Sequence, residues 1–196
     1  MIIALTGGIG SGKSIVSKIF EVMGCVIYDS DEKAKALYHD DAVKKQVINL
    51  LGQNAYLPNH QLNTTFISDI VFKDKIKLEK LNAIIHPALV LDFDNFVTRQ
   101  DPQSIIIKES ALIFETNLYQ NFKHIILVVA PLEEKIDRVM KRNGISKIEI
   151  EKRMSLQWTD EKKQSLANYI ILNDHSEALI PQVINILNQL KQNATR

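Results

Sequence analysis

Apolar positions are crowded from the first residues. "IIALT" (2–6) is a short β-branched run without alternation, and it predicts a strand buried on both faces of a parallel sheet, lying centrally. After a glycine-rich stretch, Ile15, Val16, Ile19, Phe20 and Met23 recur at helical spacing and Gly24 supplies a stop. "CVIYD" (25–29) predicts a second short strand, and "SDEKAKALYHDDAVKKQVINLLG" a charged helical stretch broken near Asp40 and Asp41. "LPNHQLN" is turn-like. The long segment that follows, through Gln100, is mostly helical, with an interruption expected at His86-Pro87.

"SIIIK" and "HIILVVA" predict two further buried strands. A helix "PLEEKIDRVMKRNG" has proline at its start and glycine at its end, and a second helix is expected over "SKIEIEKRMSLQ". "WTDEKKQSLAN" is a charged connection, "YIIL" a last strand and "SEALIPQVINILNQLKQ" a closing helix, with Pro181 either in its first turn or kinking it. The final "NATR" is expected to fray. Strands alternating with helices imply an α/β fold with a parallel sheet covered on both faces.

Composition narrows the function. The 196 residues suit one compact domain, and 24 Lys and Arg against 23 Asp and Glu leave a formal charge of +1. That balance gives no global reason to expect nucleic acid or an acidic membrane, so any anion site must be local. No apolar run reaches the roughly 18 residues a membrane-spanning helix needs. The N-terminal "MIIAL" lacks a positive flank, which argues against a secretory signal and makes the cytoplasm the default expectation. The single cysteine, Cys25, has no internal partner and sits in an apolar run, so it is expected to be a buried, inert thiol.

The candidate chemistry starts in the glycine-rich stretch. Gly7-Gly8-Ile9-Gly10-Ser11-Gly12-Lys13-Ser14 fits G-x-x-x-x-G-K-[ST], between a buried strand and an amphipathic helix as the phosphate-binding loop requires. Glycines let successive backbone N–H groups turn toward phosphate oxygens, and the following helix adds its positive end. Gly8, Gly10, Ser11, Gly12, Lys13, Ser14 and Ile15 form the expected nucleotide-binding set. Lys13 is placed to bridge the β- and γ-phosphates, and the Ser14 hydroxyl to ligate Mg²⁺.

Such a loop binds nucleotide without defining a reaction. No D-x-x-G or [NT]-K-x-D pattern marks a GTPase switch, and the protein-kinase motifs are absent. Asp29 and Asp31 fall just past the second strand, on the ligand-facing edge of a parallel sheet, where a carboxylate can take a proton from an attacking hydroxyl. A second reading has Ser30 or Asp31 capping a helix. Arg138 and Arg142, four apart on one helix, are read either as a pair gripping phosphate oxygens or as a solvated basic face.

"LTGGIGSGKS", "VIYDSDEKAKALY", "LNAIIHPALV", "ALIFE" and "RVMKRNGIS" leading to "EKRMSLQ" together resemble the dephospho-coenzyme A kinase family, in the family's order and over nearly the whole chain. The resemblance implies a P-loop NTPase fold with a five-stranded parallel sheet flanked by helices. It also implies ATP-dependent phosphorylation of the ribose 3'-hydroxyl of dephospho-coenzyme A, with ATP and Mg²⁺. The expected layout is a P-loop core over about 1–40, 101–137 and 166–196, a helical substrate subdomain over about 41–100 and a lid over about 138–165.

Matched position by position, the family's motifs make Asp31 the general base, place Asp29, His86 and Glu115 at the substrate, and put Arg138 and Arg142 in the lid. Arg153 and Gln157 match a later R-x-x-x-Q element, and Glu109 stands where an acid would hold Mg²⁺ through water. Trp158 and Tyr169 read as packing residues. The chain departs from the family at Ala111, Lys35, Val90 and Asn168, the last in place of an acid. The expected partner is a small-molecule substrate, with no nucleic acid and no membrane; monomer and homo-oligomer both stay open. Two rivals are a kinase for another small acceptor and an ATP-binding regulatory module without transfer activity.

Overall fold

The computed structural model describes residues 1–71 and 73–194. It divides into two compact units, one of residues 1–29 with 101–196 and one of residues 30–100.

The first unit is built on five parallel strands, β1 (Ile2–Gly7), β2 (Val26–Asp29), β3 (Ile106–Glu109), β4 (Ile125–Val129) and β5 (Tyr169–Leu172). Their order is β2-β3-β1-β4-β5, with β1 central as expected. Alternation along the strands sends neighbours to opposite faces. Ile3, Leu5, Ile126 and Val128 pack with Val16 and Phe20 of α1 (Lys13–Val22) and with Val183, Ile186 and Leu190 of α9 (Leu179–Ala194). Ala4, Ile125 and Leu127 pack on the other face with Ile113, Phe114 and the partly buried Trp158. Pro181 lies in the first turn of α9 (Leu179–Ala194), where its missing N–H costs nothing.

Of the closing "NATR", Asn193 and Ala194 continue α9 rather than fray, while Thr195 and Arg196, like Phe72, lie outside the described residues. Cys25 is buried in the sheet–helix core, and burial pushes its thiol pKa up, as suits an inert thiol.

In the same unit, α6 (Leu132–Asn143) opens on Pro131 and closes on Gly144 at φ 66°. The next helix, α7 (Lys147–Met154), is capped by Ser146 and ends earlier than its sequence pattern suggested. The expected charged connection contains a short helix, α8 (Asp160–Gln164), capped by the Thr159 hydroxyl. Its five residues are all polar or charged, so apolar periodicity could not reveal it.

The second unit is helical: α2 (Ser30–Leu37), α3 (Asp41–Leu51), α4 (Thr64–Val71) and α5 (Lys75–Thr98). The break at Asp40 arises because its carboxylate accepts from the Ala42 and Val43 N–H groups at 3.0 and 3.1 Å, starting α3. The Ser30 hydroxyl is buried without a hydrogen-bond partner among the described residues, so it does not cap α2. The expected interruption at His86-Pro87 is absent: α5 runs through Pro87. Proline removes one backbone donor, but Leu81 and Ile85 before it and Phe93 after it are buried, which holds both halves of the helix in place. A core of Val43, Val47, Leu51, Ile67, Leu81 and Ile85 joins α3, α4 and α5.

Candidate active site

The glycine-rich loop leaves β1 and enters α1 in the geometry of a phosphate cradle. Gly12 stands at φ 98° immediately before the helix, and Gly10 at φ 79°, both in the left-handed region. A β-carbon on Gly12 would collide with the Asn173 side-chain amide, and one on Gly10 with the Lys135 carbonyl, so both positions exclude any larger residue. Asn173, just past β5, donates from Nδ2 to the Ser11 carbonyl at 2.8 Å and braces the loop from the sheet side.

Several donors converge on this loop. Lys13 Nζ donates to the Gly7 and Gly8 carbonyls at 3.0 and 3.4 Å, which folds the ammonium along the loop's first arm. Arg138 donates through Nη2 to Glu134 at 2.5 Å and to the Asn173 carbonyl at 3.1 Å. Its Nη1 lies 3.9 Å from the position of a Gly12 β-carbon and is buried with no hydrogen-bond partner among the described residues, as are Ser11 Oγ and Thr6 Oγ1. Buried donors left without acceptors are costly. Three of them in and beside this glycine loop suit an anion with many oxygens, such as a polyphosphate.

Glu109, at the end of β3, is buried and accepts a hydrogen bond from the Ser17 hydroxyl. Ser17 lies on α1 one turn after Ser14, so the Glu109 carboxylate is fixed beneath the start of that helix. In the sheet Asp29 pairs with Glu109 across β2 and β3, which puts two acids side by side at the strand ends. Hydroxyl and carboxylate oxygens are the hard donors that Mg²⁺ takes alongside phosphate oxygens, so Ser14 and Glu109 fit that ion chemically. Ile15 is exposed and, with Ile19, Val22 and Ile180, lines an apolar groove of about 420 Å³ beside Ser14.

Other expected site residues sit elsewhere. Arg142 is exposed and donates to Asn143, away from Arg138's contacts. Glu115 is held in the first unit's interior: it accepts from the Trp158 N–H at 2.7 Å and pairs at 2.9 Å with the fully buried Lys163. Arg153 pairs with Glu149 on the surface. Gln157 does reach the loop, its Oε1 accepting from the Ile9 N–H at 2.9 Å. Asn168, the residue replacing an acid, accepts from the Ile125 N–H at 2.8 Å and closes the start of β4 and β5. Asp31 and His86 belong to the second unit, on α2 and α5. Partial burial pushes the His86 imidazole below its ordinary pKa, because desolvation disfavours the charged ring.

A cavity of about 670 Å³ flanks the loop on the side of α6 and α8, lined in part by Gly8, Ile9, Leu132, Lys135, Trp158 and Asp160. Trp158 both packs against Phe114 and carries Lys162 Nζ 3.4 Å from its ring centre. Asn173, Lys135 and Asp160 are the residues that motif reading passed over as contributors to the site. Their contacts with the loop span 125 positions of sequence, from Lys135 to Gly10, up to 162, from Asn173 to Ser11, and no local pattern reports those.

The dephospho-CoA kinase family model matches residues 1–178. The chain belongs to the dephospho-CoA kinase family. It is 36% identical over 191 residues to a dephospho-CoA kinase of Bacteroides fragilis, covering 97% of this chain and 93% of that one. Among solved structures it resembles TT1252 from Thermus thermophilus, at 27% identity and a TM-score of 0.85, over 98% of this chain and 97% of that one. A shikimate kinase from Acinetobacter baumannii, solved with shikimate, shares the fold at 13% identity and a TM-score of 0.56, over 100% and 95% of the two chains. The five-stranded parallel sheet flanked by helices is the P-loop kinase fold. No helix among the described residues is long and apolar enough to cross a membrane.

Proposed function

We infer that this chain is a dephospho-CoA kinase: it transfers the γ-phosphoryl group of ATP to the ribose 3'-hydroxyl of dephospho-CoA, giving CoA and ADP. The observation that carries the reading is the family match over residues 1–178, on a chain whose glycine loop is shaped and equipped for a polyphosphate. In this reading Gly8, Gly10, Ser11, Gly12, Lys13 and Ser14 cradle the phosphates, and Ile15 with its apolar groove lies alongside the nucleotide. Lys13 and Arg138 offset the charge that builds on the transferring group and on ADP as the old P–O bond lengthens. Arg142 joins them from the lid, about 138–165, whose closure excludes water and suppresses hydrolysis of ATP.

Ser14, with Glu109 through water, would hold Mg²⁺, which when bound neutralises charge on the β- and γ-phosphate oxygens. Asp31 accepts the proton as the 3'-oxygen forms its bond to phosphorus, while His86 serves the acceptor side from a substrate subdomain at about 41–100 and Asp29 and Glu115 serve it from the first unit. The reaction takes place in the cytoplasm, on a small molecule, without nucleic acid or membrane.

Asp31→Asn removes the proton acceptor and leaves the cradle unchanged. Single-turnover transfer should fall at least a hundredfold while ATP affinity shifts less than threefold, in keeping with the usual size of general-base effects. Wild-type transfer by this variant would remove Asp31 from the role. The rival acceptor reading is tested by offering nucleosides, nucleotides and shikimate beside dephospho-CoA, and it predicts that one of them is preferred.

A further inference from the structure

We propose that Lys135 and Asp160 form a positioning pair for phosphoryl transfer, one that sets the first arm of the phosphate loop and, through it, the Lys13 ammonium. The proposal rests on the kinase reading above. Lys135 Nζ and Asp160 Oδ2 are 2.6 Å apart, and their side chains are only 11% and 14% exposed. A surface ion pair is worth little, but one this enclosed is costly to break because the surviving charge stays desolvated.

The pair is seated on the loop. A β-carbon at Gly8 would lie 3.5 Å from Asp160 Oδ1 and 3.6 Å from Lys135 Nζ, so both charged groups border the space where a side chain at that position would stand. The Lys135 backbone carbonyl presses against Gly10, and between them the Ile9 N–H donates to Gln157, three residues before Asp160. Gly8, Ile9 and Gly10 are therefore each met from outside, by α6 or by the 157–160 segment. Lys13 in turn takes its position from the carbonyls of Gly7 and Gly8. A shift of this arm moves the very acceptors that orient the lysine. Misplacement by about 1 Å is enough to cost on the order of a hundredfold in rate.

The pair also carries an electrostatic signature that packing alone would lack. Intact, it is neutral beside the phosphate site. Lys135→Met leaves a carboxylate there, which repels ATP; Asp160→Asn leaves an ammonium, which attracts it. Lys135→Met, Asp160→Asn and the double variant should be compared with wild type for ATP affinity, for steady-state turnover of dephospho-CoA and for thermal unfolding.

The pair predicts that each single change lowers kcat about tenfold or more. ATP affinity weakens in Lys135→Met and holds or tightens in Asp160→Asn. The double variant regains thermal stability, since no buried charge is left alone, yet its kcat stays low. If a single variant does not fold, the double variant carries the test. Turnover within twofold of wild type in the double variant, or ATP affinities that move together in the two singles, overturns the proposal. Should the wild type itself fail to phosphorylate dephospho-CoA, the kinase reading falls, and the opposed shifts in ATP affinity alone decide for or against the pair.

Discussion

Lys13 sits at the centre of the residue-scale account, because its ammonium already rests on the loop that would present it to phosphate oxygens. Lys13→Ala removes that charge from a side chain that is only partly buried, so the fold should keep its melting temperature to within a few degrees. Turnover should fall by roughly 10²–10³, the usual cost of losing one preorganised charge partner of the transition state. Steady-state ADP release and a thermal melt check both halves, and near-normal turnover would contradict the role.

The glycine loop, Lys13 and Ser14 were legible in sequence because their spacing alone encodes the chemistry. Arg138 and Arg142 were legible only as a pair. Helical spacing put them on one face, yet the partners that matter to Arg138 are Glu134 and the Asn173 carbonyl, whereas Arg142 donates to Asn143. Glu115 shows the same limit: its match to a motif says nothing of Lys163, the buried cation it neutralises.

At the scale of elements, α1 does two jobs. Its N-terminus closes the phosphate cradle, and its buried face, through Val16 and Phe20, is packed against β1 and β4. Phe20 is fully buried, so Phe20→Ala should destabilise the protein by about 3–5 kcal/mol from lost apolar burial and the residual cavity. Chemical denaturation of the two forms measures this. A loss below about 1 kcal/mol would mean that α1 is not anchored as described.

The strands were readable as continuous apolar runs, and α1, α6 and α9 from their periodicity and their glycine or proline boundaries. α8 was not readable, having no apolar face to repeat, and neither was the continuity of α5 through Pro87. Proline reports a lost donor at one position, while the packing of Leu81, Ile85 and Phe93 that keeps the helix together is a property of the folded unit.

For the whole molecule, the strand order β2-β3-β1-β4-β5 brings Gly7, Asp29, Glu109 and Asn173 to the same end of one parallel sheet from positions scattered over most of the chain. Ligands of open α/β sheets bind at that carboxyl edge, which is why a fold read from hydrophobic pattern also located the chemistry. The acceptor follows from family membership; the second, helical unit has its own core, and in it the sequence alone offered no chemistry as specific as the glycine loop.

The most direct test of the central claim is ADP release by the purified chain with MgATP, measured with and without dephospho-CoA and paired with mass analysis of the acceptor. Slow release alone, acceleration of at least a hundredfold with dephospho-CoA, and one phosphate added per ADP formed are the expected results. Equal release in both conditions, or ATP binding with no phosphorylated acceptor, would contradict that claim.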